Sequence, residues 1–199
     1  MPKNIKDGKL LYHLTALSNM DSILRDGLKA RSNLSSDFKD VAEQDIIDFR
    51  NKHKISYLIP FHFFLGTPFA GRVQMNHPDE EFVYITIRRR IAANKENDFR
   101  IFPTHPKHMN PLVSYDYEEG IEKIDWELMN EREYSNPECK EVCMAECVAN
   151  HEAILPGAFQ SIIVKSETTK KYIQELYQSI YGNSPSFFIN VQAQSFKGH

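Results

Sequence analysis

Cysteine is scarce in this chain: three residues in 199, all between Cys139 and Cys147. So few thiols in one short segment do not make a disulfide framework, and reduced thiols in a cytosolic protein are the expectation. Long apolar runs are missing too. No segment approaches the roughly 18 apolar residues that a membrane helix needs. The opening MPKNIKDGKL lacks the apolar centre of a signal peptide. A cytoplasmic protein without a membrane partner is therefore expected. Charge of one sign is also lacking: a net charge of -3 gives no bulk electrostatic capture of nucleic acid, which leaves local basic patches for that purpose. There is no Gly-rich phosphate loop, no Gly-x-Ser-x-Gly and no metalloprotease motif. Repeats and low-complexity linkers are absent as well, so residues 1–199 read as one domain.

What is present is an ordinary globular balance, 41% hydrophobic and 26% charged, enough for a real core. Lys9–Leu14 reads as a buried strand. Asn19 or Asp21 can cap a short helix that turns Ile23 and Leu24 inward and stops at Gly27, after which Leu28 returns to the core. Ser35-Ser36-Asp37 precedes a second expected helix, Phe38–Lys52, with Phe38, Val41, Ala42, Ile46 and Phe49 at helical spacing and Arg50 near its end. ISYLIPFHFF and EFVYITIRRR have the β-branched and aromatic content of strands, and Pro60 sends the first to a sheet edge or a bulge. GTPFAG between them reads as a turn, and residues 94–120 as loop. GIEKIDWELMNEREY is expected to be a helix, MAECVA and FQSIIVKS strands, and ETTKKYIQELYQSIYG a helix ended by Gly182. Without a clean strand–helix alternation the class is α+β.

Several residues stand out chemically. His13 and Thr15 flank Leu14 on one strand, so they share a face. That pair suits hydrogen bonding to a ribose or an amide, although the spacing by itself is more often that of a satisfied structural histidine. Glu146 sits among small and apolar residues in CMAECVAN, where a carboxylate must be paired, shifted in pKa or placed at a cleft edge. Cys139, Cys143, Cys147 and His151 recur every four residues, but four ligands on one helical stripe do not close a tetrahedron. No metal is expected there, and none at His105 and His108, which read as loop.

In order along the chain, LYHLTALSNMDSILRDGL, an arginine in a helix before YLIPFHFF, GIEKIDWELM and MAECVAN resemble the DarT family of NAD-dependent ADP-ribosyltransferase toxins, over about residues 9–165. The resemblance implies an ADP-ribosyltransferase fold, with two small antiparallel sheets around an NAD cleft and helices outside. It implies Glu146 and Arg50 as catalytic residues. His13, Thr15, Asn19, Tyr57, Phe61 and Phe63 would line the NAD pocket. NAD is the implied substrate, a base of single-stranded nucleic acid (DNA first) the implied acceptor, and a macrodomain antitoxin the implied partner. His62, where better-known members tend to carry tyrosine, marks a divergent branch.

The residue types suit that chemistry. Cleaving the nicotinamide–ribose bond builds an oxocarbenium-like cation that a carboxylate stabilises. A guanidinium can fork a diphosphate, and an aromatic ring can stack on nicotinamide. The acceptor side is harder to place. Tyr115–Glu141 carries eight glutamates and two aspartates, which repel phosphates unless they point away. Lys52, Arg72, Arg88 and Arg89 are the candidates for phosphate contact. Alternatives are transfer to RNA or protein, an RNA 2′-phosphotransferase-like enzyme, an inactive NAD- or nucleic-acid-binding module, and a structural zinc module.

Overall fold

The computed structural model describes residues 4–34 and 39–196. Its elements run β1 (Leu10–Ala16), α1 (Met20–Asp26), β2 (Leu28–Lys29), α2 (Gln44–Lys52), β3 (Ile59–Phe61), α3 (Pro68–Asn76), β4 (Phe82–Arg88), α4 (Arg89–Ala93) and β5 (Phe99–Phe102). There follow β6 (Tyr115–Asp116), α5 (Tyr117–Lys123), α6 (Trp126–Glu131), α7 (Pro137–Val142), β7 (Glu146–Ala149), β8 (Ala153–Ile154), β9 (Ser161–Val164), α8 (Glu167–Tyr181) and β10 (Phe188–Val191). The α+β expectation holds.

Two four-stranded sheets, ordered β1-β4-β9-β10 and β3-β7-β5-β6, form the frame, and β2 pairs with β8 in a small ribbon. All pairs are antiparallel except β9 with β10. That parallel pair needs a crossover, which α8 supplies. The sheets meet at one point, where Tyr12 and His62 exchange backbone hydrogen bonds of 2.9 and 2.8 Å. From that point they splay, and the main core of Leu11, Ile59, Phe61, Ile85, Ile101 and Cys147 fills one side.

Four local expectations change. The second helix begins at Gln44, not at Phe38; Ser35–Phe38 lie outside the described residues. Val41 and Ala42 precede the helix because the backbone there is tied elsewhere: the Asn19 side chain accepts from Lys39 N–H and donates to Lys39 C=O, both at 2.9 Å. GTPFAG is not a turn but the start of α3. Thr67 Oγ1 accepts the Ala70 N–H at 3.2 Å and Pro68 takes the first helical position. The long helix from Gly120 is two, α5 and α6, because the Asp125 carboxylate caps Leu128 N–H at 3.0 Å and restarts the chain. Residues 94–120 hold β5 and β6, which pair with each other. Pro60 does stand on an edge strand, since β3 pairs with β7 alone within its sheet.

Gly120 lets α5 lie directly on β5. A Cβ there would come within 2.5 Å of Ile101 Cβ. Gly120→Ala is expected to lower stability by about 1–3 kcal/mol through overpacking, read as a shift of the denaturant midpoint at unchanged slope.

Candidate active site

Strand alternation builds the site. On β3, Ile59 and Phe61 enter the main core, so Pro60 and the following His62 take the opposite face. On β7, Cys147 and Ala149 enter that core, and Glu146 and Val148 take the other face. Val148 packs there with Ile55, Leu58 and Phe49, and Phe49 belongs to α2. The same packing brings the last turn of α2 against β7, and Arg50 against Glu146.

Arg50 Nη1 donates to Glu146 Oε2 at 2.9 Å, with both side chains almost fully buried. Arg50 Nη2 donates to the carbonyls of Ile55 at 3.4 Å and Leu58 at 3.3 Å. Burial works against the Glu146 charge, but Arg50, with smaller help from His62 and His105, outweighs it and holds the carboxyl below its ordinary 4.5. Glu146 is therefore a carboxylate at neutral pH, with Oε1 free of the arginine.

Three imidazoles surround this pair. His13 Nδ1 meets Pro60 C=O at 2.7 Å and His62 Nδ1 meets Ala145 C=O at 3.1 Å. A carbonyl only accepts, so both carry the proton on Nδ1 and keep a lone pair on Nε2. His105 is the reverse tautomer: its Nδ1 accepts the Lys107 N–H at 3.2 Å, which leaves an Nε2–H donor. Burial pulls His13 from 6.5 down to about 4, against the Pro60 hydrogen bond. It pulls His105 to about 4 as well, against Glu146. His62 also falls below 6.5 through burial, against Glu146 and the Ala145 bond. All three are neutral at physiological pH.

The cleft above, counted with the open space at its mouth, spans about 910 Å³. His13, Thr15, Arg50, His62, His105 and Glu146 line it, together with Arg31, Lys39 and Phe69. Thr15 is buried and accepts from Asn19 Nδ2 at 3.2 Å, so Asn19 acts on the cleft through Thr15 and the Lys39 backbone. Arg31 pairs with Asp40 at the rim, and burial, with Arg50 nearby, lowers it to about 10. A second, wider cleft adjoins the first and shares Ile46, Phe69 and His105 with it.

Other expected residues lie elsewhere. Phe61 and Phe63 are sunk in the main core by the alternation that exposes His62, and Tyr57 projects to solvent from a turn. None of the three lines the cleft. Arg89 is a structural residue: it donates to the carbonyls of Leu10, Lys6 and Phe63 at 2.9–3.1 Å and lies over the Phe63 and Trp126 rings. Arg88 holds Gln160 at the C-terminal end of β4, opposite Leu10, and lines neither cleft. Lys52 is exposed at the end of α2. Arg72 lines the second cleft, paired with Glu43 at 2.6 Å. The cysteine–histidine stripe does not form: Cys139 is on α7, Cys143 ends it, Cys147 is on β7, and His151 lies beyond that strand. No group of three metal-ligating side chains occurs among the described residues. Arg31 and Phe69 carry no expectation from the sequence, and His105 is weighed there only as a metal ligand, not as a cleft residue. The Thr67-Pro68 start signal could have placed Phe69 on a helix.

The two splayed sheets hold a buried arginine–glutamate pair and neutral imidazoles between them, and it is at this site that comparison with known proteins identifies the class, the ADP-ribosyltransferases. The family profile described as "ssDNA thymidine ADP-ribosyltransferase, DarT" matches residues 12–192, and the chain belongs to that family. The fold is similar to Thermus sp. 2.9 DarT in complex with ADP-ribosylated ssDNA, with a TM-score of 0.82 and 16% identity over 99% of this chain and 100% of that one. The same Thermus protein in complex with NAD+ matches with a TM-score of 0.75 and 14% identity, over 96% of this chain and 98% of that one. Thermosipho africanus DarTG in complex with ADP-ribose gives 0.74 and 16% over 94% of this chain, which spans 51% of that longer one. No curated protein sequence matches significantly.

Arg50→Leu would leave the Glu146 carboxylate buried without its countercharge, at an expected cost of about 3–5 kcal/mol. Burial alone then raises the Glu146 pKa above 4.5 in the folded state, so its ionisation opposes folding increasingly as pH rises. The melting-temperature gap to wild type is expected to be wider at pH 8 than at pH 5; a constant gap would contradict the pairing.

Proposed function

We propose that the cleft transfers ADP-ribose from NAD to a thymine base of single-stranded DNA, and that the chain is the toxin of a pair whose antitoxin is a macrodomain. One domain, residues 1–199, would carry the activity. The buried Arg50–Glu146 pair at the cleft floor is the observation that carries this reading. Breaking the nicotinamide–ribose bond puts positive charge on C1′ and its ring oxygen. Glu146, held ionised, stabilises that charge, and its free Oε1 can accept the ribose 2′-hydroxyl.

In this reading the remaining roles are distributed differently. Arg50 is already occupied by Glu146 and two carbonyls, so it orients the carboxylate and does not fork the diphosphate. Arg31 and Lys39 on the cleft wall take the diphosphate. His13 Nε2 accepts from a ribose hydroxyl beside Thr15. Stacking on nicotinamide passes from Tyr57, Phe61 and Phe63 to Phe69, the ring that faces both clefts.

The second cleft suits the acceptor strand. Arg72, Lys107 and Lys140 supply charge, and Met75 and Tyr134 apolar surface for bases. The eight glutamates of residues 115–141 line neither cleft. Glu118 and Glu119 pair with Lys95 and Lys123, and Glu141 with His108. An RNA 2′-phosphotransferase reading would need convergent arginines free for phosphate, and here Arg50 is committed to Glu146.

With labelled NAD, wild-type protein is expected to label a thymidine-containing single-stranded oligonucleotide and not one lacking thymidine. Glu146→Ala is expected to lower that rate at least about 10²–10³-fold. Equal labelling of RNA or protein, or full activity in Glu146→Ala, would overturn the assignment.

A further inference from the structure

Thymine in a strand has its N1 bonded to the sugar, so its one N–H is N3. An N3-linked product requires that proton to leave as the ring nitrogen bonds to C1′. The proton needs an acceptor within reach of N3.

Most polar groups at the cleft floor are disqualified. Arg50 stays charged and has only donors. Glu146 Oε2 is bonded to Arg50, and the carboxylate is a weak base because its charge is so well compensated. His105 offers Nε2–H, its lone pair being used by Lys107 N–H. His13 keeps an Nε2 lone pair, but it sits on β1 tied to Pro60 and packed on Phe61, on the wall assigned to the NAD ribose.

His62 meets the requirement. Its backbone is fixed at the junction of the two sheets. Its Nδ1–H is spent on Ala145 C=O, the carbonyl preceding Glu146. Its Nε2 makes no hydrogen bond among the described residues, and the side chain lines the cleft. The ring lies 5.5 Å from Phe69, which faces both the NAD cleft and the adjoining groove. The charged and titratable groups facing it are His13 from β1, Arg50 from α2, His105 after β5, and Glu146 from β7.

We propose that His62 Nε2 is the general base that takes the N3 proton of the acceptor thymine. This role rests on the thymine reading above. The C1′–N bond to nicotinamide breaks and its electron pair leaves with nicotinamide, which becomes neutral. The pair freed at N3 forms the new N3–C1′ bond, the proton passes to His62 Nε2, and the imidazolium returns it to water after the product leaves. Glu146 touches the ribose side of the same event, so the two groups act on opposite partners.

The test is transfer kinetics of wild type, His62→Asn and His62→Gln on two oligonucleotides, one with thymine and one with 5-fluorouracil, whose N3–H is more acidic. His62→Asn keeps an amide N–H for Ala145 C=O, and His62→Gln keeps an acceptor towards the base; neither can take the proton. Thermal melting selects the variant that folds as wild type does. On thymine the expected loss in kcat is about 10²–10⁴-fold. On 5-fluorouracil the loss is expected to shrink by about tenfold or more, because less basicity is needed. Wild-type kcat should fall on acidification through the His62 pKa, below the ordinary 6.5, and this limb should vanish in the variants. Variants within about threefold of wild type, an equal loss on both bases, or a surviving acid limb would overturn the role. Wild type inactive on both oligonucleotides would instead overturn the thymine reading itself.

Discussion

A charged pair held away from water ties the molecule together at its most exacting point. Arg50 and Glu146 are 96 residues apart in sequence and 2.9 Å apart in space. Taking two charges out of water is costly, and the attraction between them repays it only when the other donors and acceptors are also satisfied. Here Ile55 and Leu58 supply carbonyls to the second guanidinium nitrogen. The turn after α2, the edge strand β3 and the start of β7 must therefore all be in register before the pair is stable. The arrangement that fixes the fold locally is the same one that keeps the carboxylate ionised.

Around the pair, neutral imidazoles give the cleft direction without adding charge. Their tautomers are set by backbone groups, two by carbonyls and one by an N–H. The floor thus presents lone pairs from His13 and His62 and a donor from His105. A charged imidazole at His62 or His105 would compete with Arg50 for Glu146. Burial prevents this by disfavouring the protonated forms.

The wider groove is electrostatically muted in the free protein. Arg72 is held by Glu43, and Lys107 by Asp45. Both acids belong to the start of α2, the helix that carries Arg50 at its other end. A polyanion entering the groove would compete with these carboxylates for the same cations. Exposed pairs of this kind are weak and exchange readily. The overall charge of the chain is therefore a poor guide to the charge the groove can present.

Composition, order and local pattern determined much of this protein. The alternation of polar and apolar residues marked His13 and Thr15 as a shared face, an isolated glutamate in an apolar strand marked Glu146, and Pro60 marked a sheet edge. These are local signals, because each residue's own neighbours state its environment. Tertiary structure alone decided which face of β3 meets the cleft, since Phe61, His62 and Phe63 alternate and the sequence does not say which parity is inward. It decided that Arg89, in a cluster of three arginines, is a buried strut and that Arg50 is paired with Glu146. It also brought in Arg31 and Phe69, from segments with no mark of function, and His105, from a stretch that reads as loop. A side chain's chemistry is written in its residue type, but its partners are set by packing between distant strands, and for charged and titratable groups the partners decide the role.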